Sequence, residues 1–284
     1  MHHPASALQR SMFVLTTALA IAAPVAAEQY TFGVEPSFPP EQAQEVYKPL
    51  LDYLQQQTGH EFTLEIARNY HFHWRELRQN AKVDFVFEEA HFVDYRAQRF
   101  GFQPLVRTGN PSIYTLLASE EFADGDKNSL IGRRIVSMPA PSLGFAVLVE
   151  IYANPISQPE FLSDARSWHD GVQMVFGGDA EAAMVPDFIA QLYPNLIAMT
   201  HSNAFPGKAV SAAPTVPEAV RKAVTEALLG LHEAPESYAA LSEISVVRFD
   251  PAIASDYRGA EDMLKNFYGY VALSKPDGEE TPEE

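Results

Sequence analysis

The residues best suited to chemistry lie where an apolar stretch ends in charged and imidazole side chains. The predicted strand Val83 to Phe87 is followed at once by Glu88, Glu89 and His91, and a polar, aromatic loop, 69–74, lies just upstream. Ligands of open α/β sheets bind outside the carboxyl ends of the strands, so we expect these side chains to line a cleft. Carboxylates and imidazoles there can bind a polar ligand or hold a metal ion.

Two interpretations of this segment stay open from the sequence. Neighbouring residues of an extended chain point to opposite sides, so only one of Glu88 and Glu89 is expected to face the cleft. The sequence predicts ligand binding by Glu88, Glu89 and His91. In the alternative, His71, His73 and His91 bind a divalent metal such as zinc, with a glutamate as a further ligand.

Three further side chains stand at positions that favour ligand binding. Tyr70 follows the second predicted strand, where its phenol can donate a hydrogen bond into the cleft. Ser142 lies in a loop before a helix, where backbone N–H groups and a hydroxyl suit an anion. His169 can reach a ligand from the second half of the chain. Each also has a structural interpretation, as a buried tyrosine, an N-cap serine and a histidine near a helix start.

The sequence lacks the short motifs that mark common catalytic sites. A nucleophile elbow, a P-loop, a His-Glu-x-x-His pair and a dinucleotide-binding glycine fingerprint are all absent. Gly177 and Gly178 are more typical of a turn than of a phosphate-binding loop. We therefore predict that the protein is not an enzyme and needs no cofactor.

The first 27 residues have the pattern of a secretory signal peptide. Arg10 precedes an apolar stretch from Met12 to Ala23, and small residues follow before Glu28. The apolar stretch is shorter than the roughly 20 residues that a membrane-spanning helix needs. We therefore predict a signal peptide over residues 1–27 and export to the periplasm.

The composition narrows the choice of partners. A formal net charge of −17 disfavours nucleic acids and anionic membranes, since both are polyanions. The chain has no cysteine, so it forms no disulfide bonds. The acidic segment 274–284 is predicted to be a disordered tail. A local pocket of donors can still bind an anionic ligand in so acidic a protein.

Strand and helix patterns alternate along the chain, which is typical of an α/β fold with mostly parallel sheets. The predicted helices include one from Trp74 to Asn80 and a last one from Ala260 to Val271. The simplest arrangement is one lobe built from residues 28–117 and 210–273, with a second lobe, 118–209, inserted into it. The ligand cleft is then expected between the lobes.

Several of these residues together resemble the periplasmic phosphate/phosphonate-binding proteins of ABC transporters. The resemblance covers the chain after the signal peptide and rests on Tyr47-Lys48-Pro49-Leu50, Asn69-Tyr70, Val83-Asp84-Phe85, Tyr114 and His169. It implies the type II periplasmic-binding fold, with two lobes of mostly parallel sheet flanked by helices and a ligand cleft between them. The family positions that surround the anion correspond to Tyr70, Tyr114, Ser142 and His169.

The chain departs from the family's pattern at two places. The family's hydroxyl-rich loop is Pro141-Ser142-Leu143-Gly144 here, which lacks two of three hydroxyl groups. Where the family often has a neutral turn, this chain has Glu88-Glu89-Ala90-His91. A carboxylate in the cleft repels a phosphonate dianion unless the ligand also carries a cation, as an aminoalkyl phosphonate does.

The resemblance implies an extracytoplasmic solute-binding protein of an ABC transporter. A protein of this kind is expected to close its two lobes on a small phosphate- or phosphonate-like ligand and to present that ligand to a membrane permease. We expect a monomer with no nucleic-acid partner. The alternative is a periplasmic metal-binding or ligand-sensing protein of the same fold.

Overall fold

The computed structural model describes residues 27–123, 126–234 and 238–273. The predicted signal peptide, apart from its last residue, and the predicted tail 274–284 lie outside this part of the chain. Within it, eleven β-strands and eight α-helices form two open sheets flanked by helices. None of these helices has the length and hydropathy that crossing a lipid bilayer requires.

The first sheet has its strands in the order β11-β4-β10-β3-β1-β2. They are β1 Gln29–Val34, β2 Glu61–Ile66, β3 Phe85–Glu88, β4 Gln103–Thr108, β10 Ala209–Ala212 and β11 Phe249–Pro251. β1 is parallel to β2 and β3, whereas β10 is antiparallel to both β3 and β4, and β11 is antiparallel to β4. The carboxyl ends of β1 and β3 therefore meet at one edge of the sheet.

The second sheet has the order β7-β6-β8-β5-β9. Its strands are β5 Tyr114–Ala118, β6 Arg134–Val136, β7 Glu160–Leu162, β8 Ala182–Pro186 and β9 Ile197–His201. β6 is parallel to β7 and β8, but β5 is antiparallel to β8 and β9. The two-lobed α/β architecture is confirmed, whereas the sheets are mixed rather than mostly parallel. Four of the five antiparallel pairs in the described part of the chain involve β5 or β10, the strands that follow the two crossings between the sheets, and the fifth joins β11 to β4.

The helices begin and end at residues with clear local signals. They are α1 Pro40–Thr58, α2 Tyr70–Arg78, α3 Ala90–Phe100, α4 Leu143–Ile151, α5 Trp168–Phe176, α6 Asp187–Ala190, α7 Glu218–Gly230 and α8 Tyr238–Ser242. α1 has Pro40 in its first turn and ends at Gly59, whose φ of 74° is left-handed. α2 begins at Tyr70 because the Asn69 side chain accepts a hydrogen bond from the Phe72 N–H at 3.1 Å.

Three predicted boundaries are wrong for local reasons. Residues 70–74, predicted as a loop, form the start of α2 because Asn69 caps the helix there. β3 continues through Glu88, so this glutamate is a strand residue. The predicted helix from Ala260 to Val271 is only a short 3-10 helix, Ala260–Leu264, followed by turns. Gly269, with a φ of 81°, is incompatible with a continuous α-helix.

The chain crosses between the sheets twice, and the crossing segments lie side by side. Residues 109–113 join β4 to β5, and residues 202–208 join β9 to β10. Ser112 and Phe205 form an antiparallel bridge between them, and the Tyr114 N–H donates to Ser202 Oγ at 3.0 Å. The prediction assigned residues 114–117 to the first lobe, but β5 pairs with β8 and β9 of the second sheet. We call these two crossing segments the hinge.

Two large hydrophobic cores and a smaller cluster around Tyr257 stabilise the part of the chain that the structure describes. One packs the first sheet against α1 and α7 and includes Phe32 and Phe87. The other extends from the second sheet to α2 and α3, where it includes Trp74 and Phe92. Helices α2 and α3 therefore share a core with the second lobe, and α3 also contacts β4 and β10 of the first sheet.

Candidate functional site

A cavity of about 500 Å³ opens between the two lobes beside the hinge. From the first lobe its lining includes Ser37, Phe38, Tyr47, Phe87 and Glu89, and Lys208 lines it from the second hinge segment. Residues 108–114 line it along the hinge, and the second lobe contributes Ser167, Trp168, His169, Asp187 and Phe188. Concave sites of this size between lobes are typical of small-molecule binding. We therefore consider this cavity the candidate ligand site.

Two glutamates come to this region from the carboxyl ends of neighbouring parallel strands. Glu35 directly follows β1, and Glu89 directly follows β3. The Glu89 N–H donates a hydrogen bond to the Glu35 carboxylate. Lys208 lies against both, because its Nζ is 3.6 Å from Glu35 Oε2 and 3.8 Å from Glu89 Oε1. We call Glu35, Glu89 and Lys208 the charged cluster.

Glu89 also connects the charged cluster to the hinge. Its Oε2 accepts a hydrogen bond from Ser112 Oγ at 2.6 Å, and its Oε1 accepts one from the Tyr114 hydroxyl at 3.2 Å. Ser112 belongs to the first crossing segment, and Tyr114 begins β5. One carboxylate therefore joins the first sheet to the strand that enters the second lobe.

The charged cluster contains a group that titrates near neutral pH. Burial raises the pKa of Glu89 to about 7; Lys208 opposes this shift and Glu35 adds to it. Burial alone would lower the pKa of Lys208, but the Glu35 and Glu89 carboxylates outweigh it and raise that pKa above its ordinary value. Lys208 is therefore an ammonium at neutral pH, whereas Glu89 can gain or lose a proton there.

Tyr70 and Tyr114 are buried, and each donates a hydrogen bond to one of these carboxylates. The Tyr70 hydroxyl is 3.0 Å from Glu35 Oε2 and 3.1 Å from Ser37 Oγ. Burial and the neighbouring carboxylates raise the pKa of both phenols well above their ordinary value, so both stay neutral donors. Tyr114 lines the cavity. Tyr70 contacts the charged cluster through Glu35, to which its hydroxyl donates a hydrogen bond.

Ser142 is the N-cap of α4, and its side chain is used within the protein. Its Oγ accepts a hydrogen bond from the Phe145 N–H at 3.2 Å and donates one to the Met138 carbonyl at 3.1 Å. A Cβ built at Gly144 would meet the rings of Trp168 and Tyr114 at 3.1 Å. These rings therefore cover the start of α4, where the resemblance implies an anion.

His169 lies in the first turn of α5, at the cavity wall of the second lobe. Ser167 caps this helix, since its side chain accepts a hydrogen bond from the Asp170 N–H at 3.1 Å. The imidazole of His169 is exposed, and its Nδ1 lies 2.9 Å from the Tyr193 hydroxyl. The other ring nitrogen is thus left for a ligand or for water.

Glu88 lies in the protein interior, in contrast to its neighbour. Its carboxylate accepts two hydrogen bonds from Arg96, at 2.8 and 3.0 Å, and lies 3.0 Å from His73 Nε2. Burial alone would raise the pKa of Glu88, but Arg96 and His73 lower it to about 2. Of the two adjacent glutamates, Glu89 is the one at the cavity, as the alternation of side chains requires.

The three histidines of the metal alternative lie in different surroundings. His71 is exposed on α2, whereas His73 is buried beside Glu88, because residues two apart on a helix point about 200° apart. His91 is fully buried; its Nε2 lies 3.0 Å from the Pro141 carbonyl, and burial lowers its pKa to about 4. Among the described residues, no group of three or more His, Cys, Asp and Glu side chains is placed to hold a metal ion.

Sequence reasoning missed Glu35, Ser112 and Lys208. Glu35 follows β1 as Glu89 follows β3, so the strand-end rule that selected Glu89 could have selected it too. The sequence around Lys208 contains no comparable pattern that would have indicated a position at the site. Lys208 reaches the cluster because β10 runs antiparallel to β3, with Ala209 opposite Glu88.

The structure resembles several solved solute-binding proteins. PhnD1 from Prochlorococcus marinus, in complex with methylphosphonate, aligns with a TM-score of 0.70 at 14% identity over 83% of this chain and 96% of that one. A binding-protein component of a phosphonate ABC transporter from Pseudomonas aeruginosa gives 0.69 at 13% identity over 84% and 86%. XAC2383 from Xanthomonas citri, bound to chloride, gives 0.66 at 16% identity over 83% and 95%. These similarities confirm the predicted two-lobed periplasmic-binding fold.

The sequence also matches a protein family, although no curated protein matches it. The family is described as the phosphonate periplasmic substrate-binding protein of ABC transporters, and the match extends over residues 32–257. This range includes both sheets, the hinge and the charged cluster. The chain therefore belongs to the family of phosphonate periplasmic substrate-binding proteins of ABC transporters.

Proposed function

We propose that the protein binds a small zwitterion, an aminoalkyl phosphonate, between its lobes and delivers it to the membrane permease of an ABC transporter. The charged cluster is the observation that carries this proposal. It offers one ligand both an ammonium, on Lys208, and a carboxylate, on Glu89, only 3.8 Å apart. A phosphonate without its own cation meets repulsion from Glu89, whereas an aminoalkyl phosphonate can pair with both groups.

Lys208 is proposed to bind the phosphonate and Glu89 the ammonium. The distances of 3.6 and 3.8 Å from Lys208 Nζ to its carboxylate neighbours exceed those of hydrogen bonds, so its N–H groups can turn to a ligand. His169, at the start of α5, lines the same cavity. Its imidazole and the N-terminus of this helix supply further attraction for an anion from the second lobe.

Closure of the lobes follows because the proposed donors, Lys208 and His169, lie on different parts of the molecule. A ligand that pairs with Lys208 at the hinge and with His169 on the second lobe makes more contacts in the closed form, and so shifts the equilibrium toward it. Glu89 is bonded to Ser112 and Tyr114 at the hinge. Ligand binding at Glu89 therefore acts where the lobes rotate.

The remaining parts of the proposal concern location and partners. The family consists of periplasmic transporter components, and we propose the same non-catalytic role for this chain. The predicted signal peptide over residues 1–27 supports export to the periplasm. A permease is the proposed macromolecular partner, and the protein is proposed to act as a monomer without nucleic acid.

Isothermal titration calorimetry with 2-aminoethylphosphonate, methylphosphonate and phosphate tests the proposal. We expect 2-aminoethylphosphonate to bind at least about tenfold more tightly than methylphosphonate, as one further charge-assisted hydrogen bond implies. Lys208→Met should weaken binding of all three ligands. Glu89→Gln should weaken binding of the aminoalkyl ligand selectively.

The matched control is Lys222→Met on α7, where the lysine side chain is 75% exposed and paired with Glu226. This variant should bind all three ligands like the parent protein. The proposal is wrong if none of the ligands binds, or if Lys208→Met and Lys222→Met leave the affinities equally unchanged.

A further inference from the structure

Several apolar side chains line the cavity besides the charged residues Glu89 and Lys208. They include Phe38, Ile244, Val246 and Val247 from the first lobe, and Phe188 and Ile189 from the second, and we call these six side chains the apolar wall. Val247 is 72% exposed and Phe188 is 44% exposed. Single exposed apolar side chains are ordinary on protein surfaces, but these two line one cavity from opposite lobes.

The two exposed side chains stand on firmly held segments. Phe188 lies in α6, whose first residue, Asp187, accepts hydrogen bonds from Thr115 Oγ1 at 3.1 Å and Gln191 Nε2 at 2.7 Å. Val247 lies between α8 and β11, and the nearby Ile244 packs against the core of the first lobe. The apolar wall therefore belongs to ordered segments of the protein. The carboxylate of the neighbouring Asp187 already accepts two hydrogen bonds from other side chains.

We infer that the ligand carries an apolar tail on its zwitterionic head, and that Phe188 and Val247 select that tail. This rests on the proposed function for the position of the head and deepens it by naming the substrate class. A cavity of about 500 Å³ lies within the range of about 300–1,000 Å³ that holds larger, mostly apolar ligands. A short aminoalkyl phosphonate bound at the charged cluster leaves the apolar wall facing water.

A competing arrangement explains the same side chains without a tail. When the lobes close, Phe188 can approach Val247 directly, and the apolar wall then serves as a latch. The two arrangements differ in one measurable respect. A tail-binding wall makes affinity depend on the length of the ligand, whereas a latch makes it depend on closure alone.

The test uses two series of ligands with the same tails and different heads. One series is the 1-aminoalkylphosphonates with tails of one to six carbons, and the other is the α-amino acids with the same tails. Affinities for the full chain are measured by isothermal titration calorimetry. We expect affinity to rise about threefold to fourfold for each added methylene until the wall is covered.

Two variants assign this dependence to the wall. The double variant Phe188→Ser, Val247→Ser should reduce the gain per methylene to less than about twofold, because serine offers little apolar surface. Ile156→Ser is the matched control, since Ile156 is 92% exposed in the second lobe. It should keep the full dependence. Thermal unfolding of each variant establishes that it is folded.

The outcomes separate this inference from the proposed function. A length dependence in the phosphonate series supports both, and one found only in the amino-acid series supports the apolar tail while rejecting the phosphonate head. Binding that is independent of tail length overturns the inference and leaves the proposed function standing. Absence of binding in both series overturns both.

Discussion

At the end of β3, two consecutive buried glutamates lie in opposite surroundings. Glu88 accepts two hydrogen bonds from Arg96 and lies beside His73, and these partners lower its pKa to about 2. Among the described residues, the one cation paired with Glu89 is the more distant Lys208, and Glu35 lies beside it. Its pKa is raised to about 7.

The contrast shows that the geometry of the partner, rather than burial alone, decides the chemistry of a buried carboxylate. Arg96 forms a two-point pair that compensates fully for the lost water. Lys208 is shared between two carboxylates at distances beyond hydrogen bonding, so compensation at Glu89 is incomplete. Glu88 is consequently a fixed structural charge, whereas Glu89, at the cavity, can respond to pH and to a ligand.

The largest effect is expected for Glu88→Gln. This change leaves the Arg96 guanidinium buried without its counter-charge, so the free energy of unfolding should fall by about 3–5 kcal/mol. Urea denaturation at pH 7 measures it. The control is Asp52→Asn, which breaks the exposed pair with Lys48 and should cost at most about 0.5 kcal/mol. Equal losses in the two variants would contradict the fixed role of Glu88.

A smaller effect on the free energy of unfolding is expected from the titration of Glu89, and its pH dependence is opposite to that of Glu88. Because its pKa is raised from 4.5 to about 7, folding favours the protonated carboxyl. The corresponding stability is complete below about pH 4.5 and is lost as the pH rises through about 7, by on the order of 3 kcal/mol.

Unfolding free energies of the parent protein and Glu89→Gln, measured from pH 4 to pH 8.5, check this expectation. The parent should lose stability relative to the variant as the pH rises. Glu88 behaves in the opposite sense, since its lowered pKa gives stability above about pH 4.5 that is lost as the pH falls toward 2. Parallel curves for the two proteins would show that Glu89 does not titrate as described.

Tyr70 and Tyr114, which donate hydrogen bonds to Glu35 and Glu89, extend the comparison of buried carboxylates to their donors. Tyr70→Phe removes a bond of 3.0 Å to Glu35 and should cost about 2 kcal/mol. Tyr114→Phe removes a longer bond to Glu89 and should cost about 1 kcal/mol at pH 7. The cost of Tyr114→Phe should increase above pH 7, where Glu89 is ionised. Chemical denaturation at pH 6 and pH 8 distinguishes the two.

The smallest expected losses of stability come from two N-cap serines, Ser142 in the interior and Ser167 at the cavity. Ser142→Ala and Ser167→Ala each remove an N-cap hydroxyl and should each cost about 1 kcal/mol of stability. Ser167 lines the cavity, whereas Ser142 is fully buried and bonded to Phe145 and Met138. Only Ser167→Ala should therefore also weaken binding of 2-aminoethylphosphonate. A loss of affinity in Ser142→Ala would instead return that serine to the ligand site, as the family resemblance implies.

Local patterns in the sequence predicted most of the fold. The predicted strand Val83 to Phe87 overlaps the observed β3, Phe85–Glu88, and the predicted alternation of strands and helices matches the observed order of elements. Errors occurred where a single side chain or glycine decides the boundary, as at Asn69 and Gly269. Capping and left-handed turns depend on individual hydrogen bonds and φ values, which periodicity does not report.

The sequence by itself determined that carboxylates would follow β3 and predicted that only one of the adjacent pair would face a cleft, as Glu89 faces the cavity. Both follow from the two-residue period of a strand and from the position of ligand sites in α/β sheets. Only the tertiary structure decided which glutamate it was and what charge it carries. Arg96, on α3, donates hydrogen bonds to Glu88, whereas Lys208 approaches Glu89 from the hinge segment before β10, which is distant in sequence. A carboxylate's pKa depends on charges within a few ångströms, and those distances are set by folding.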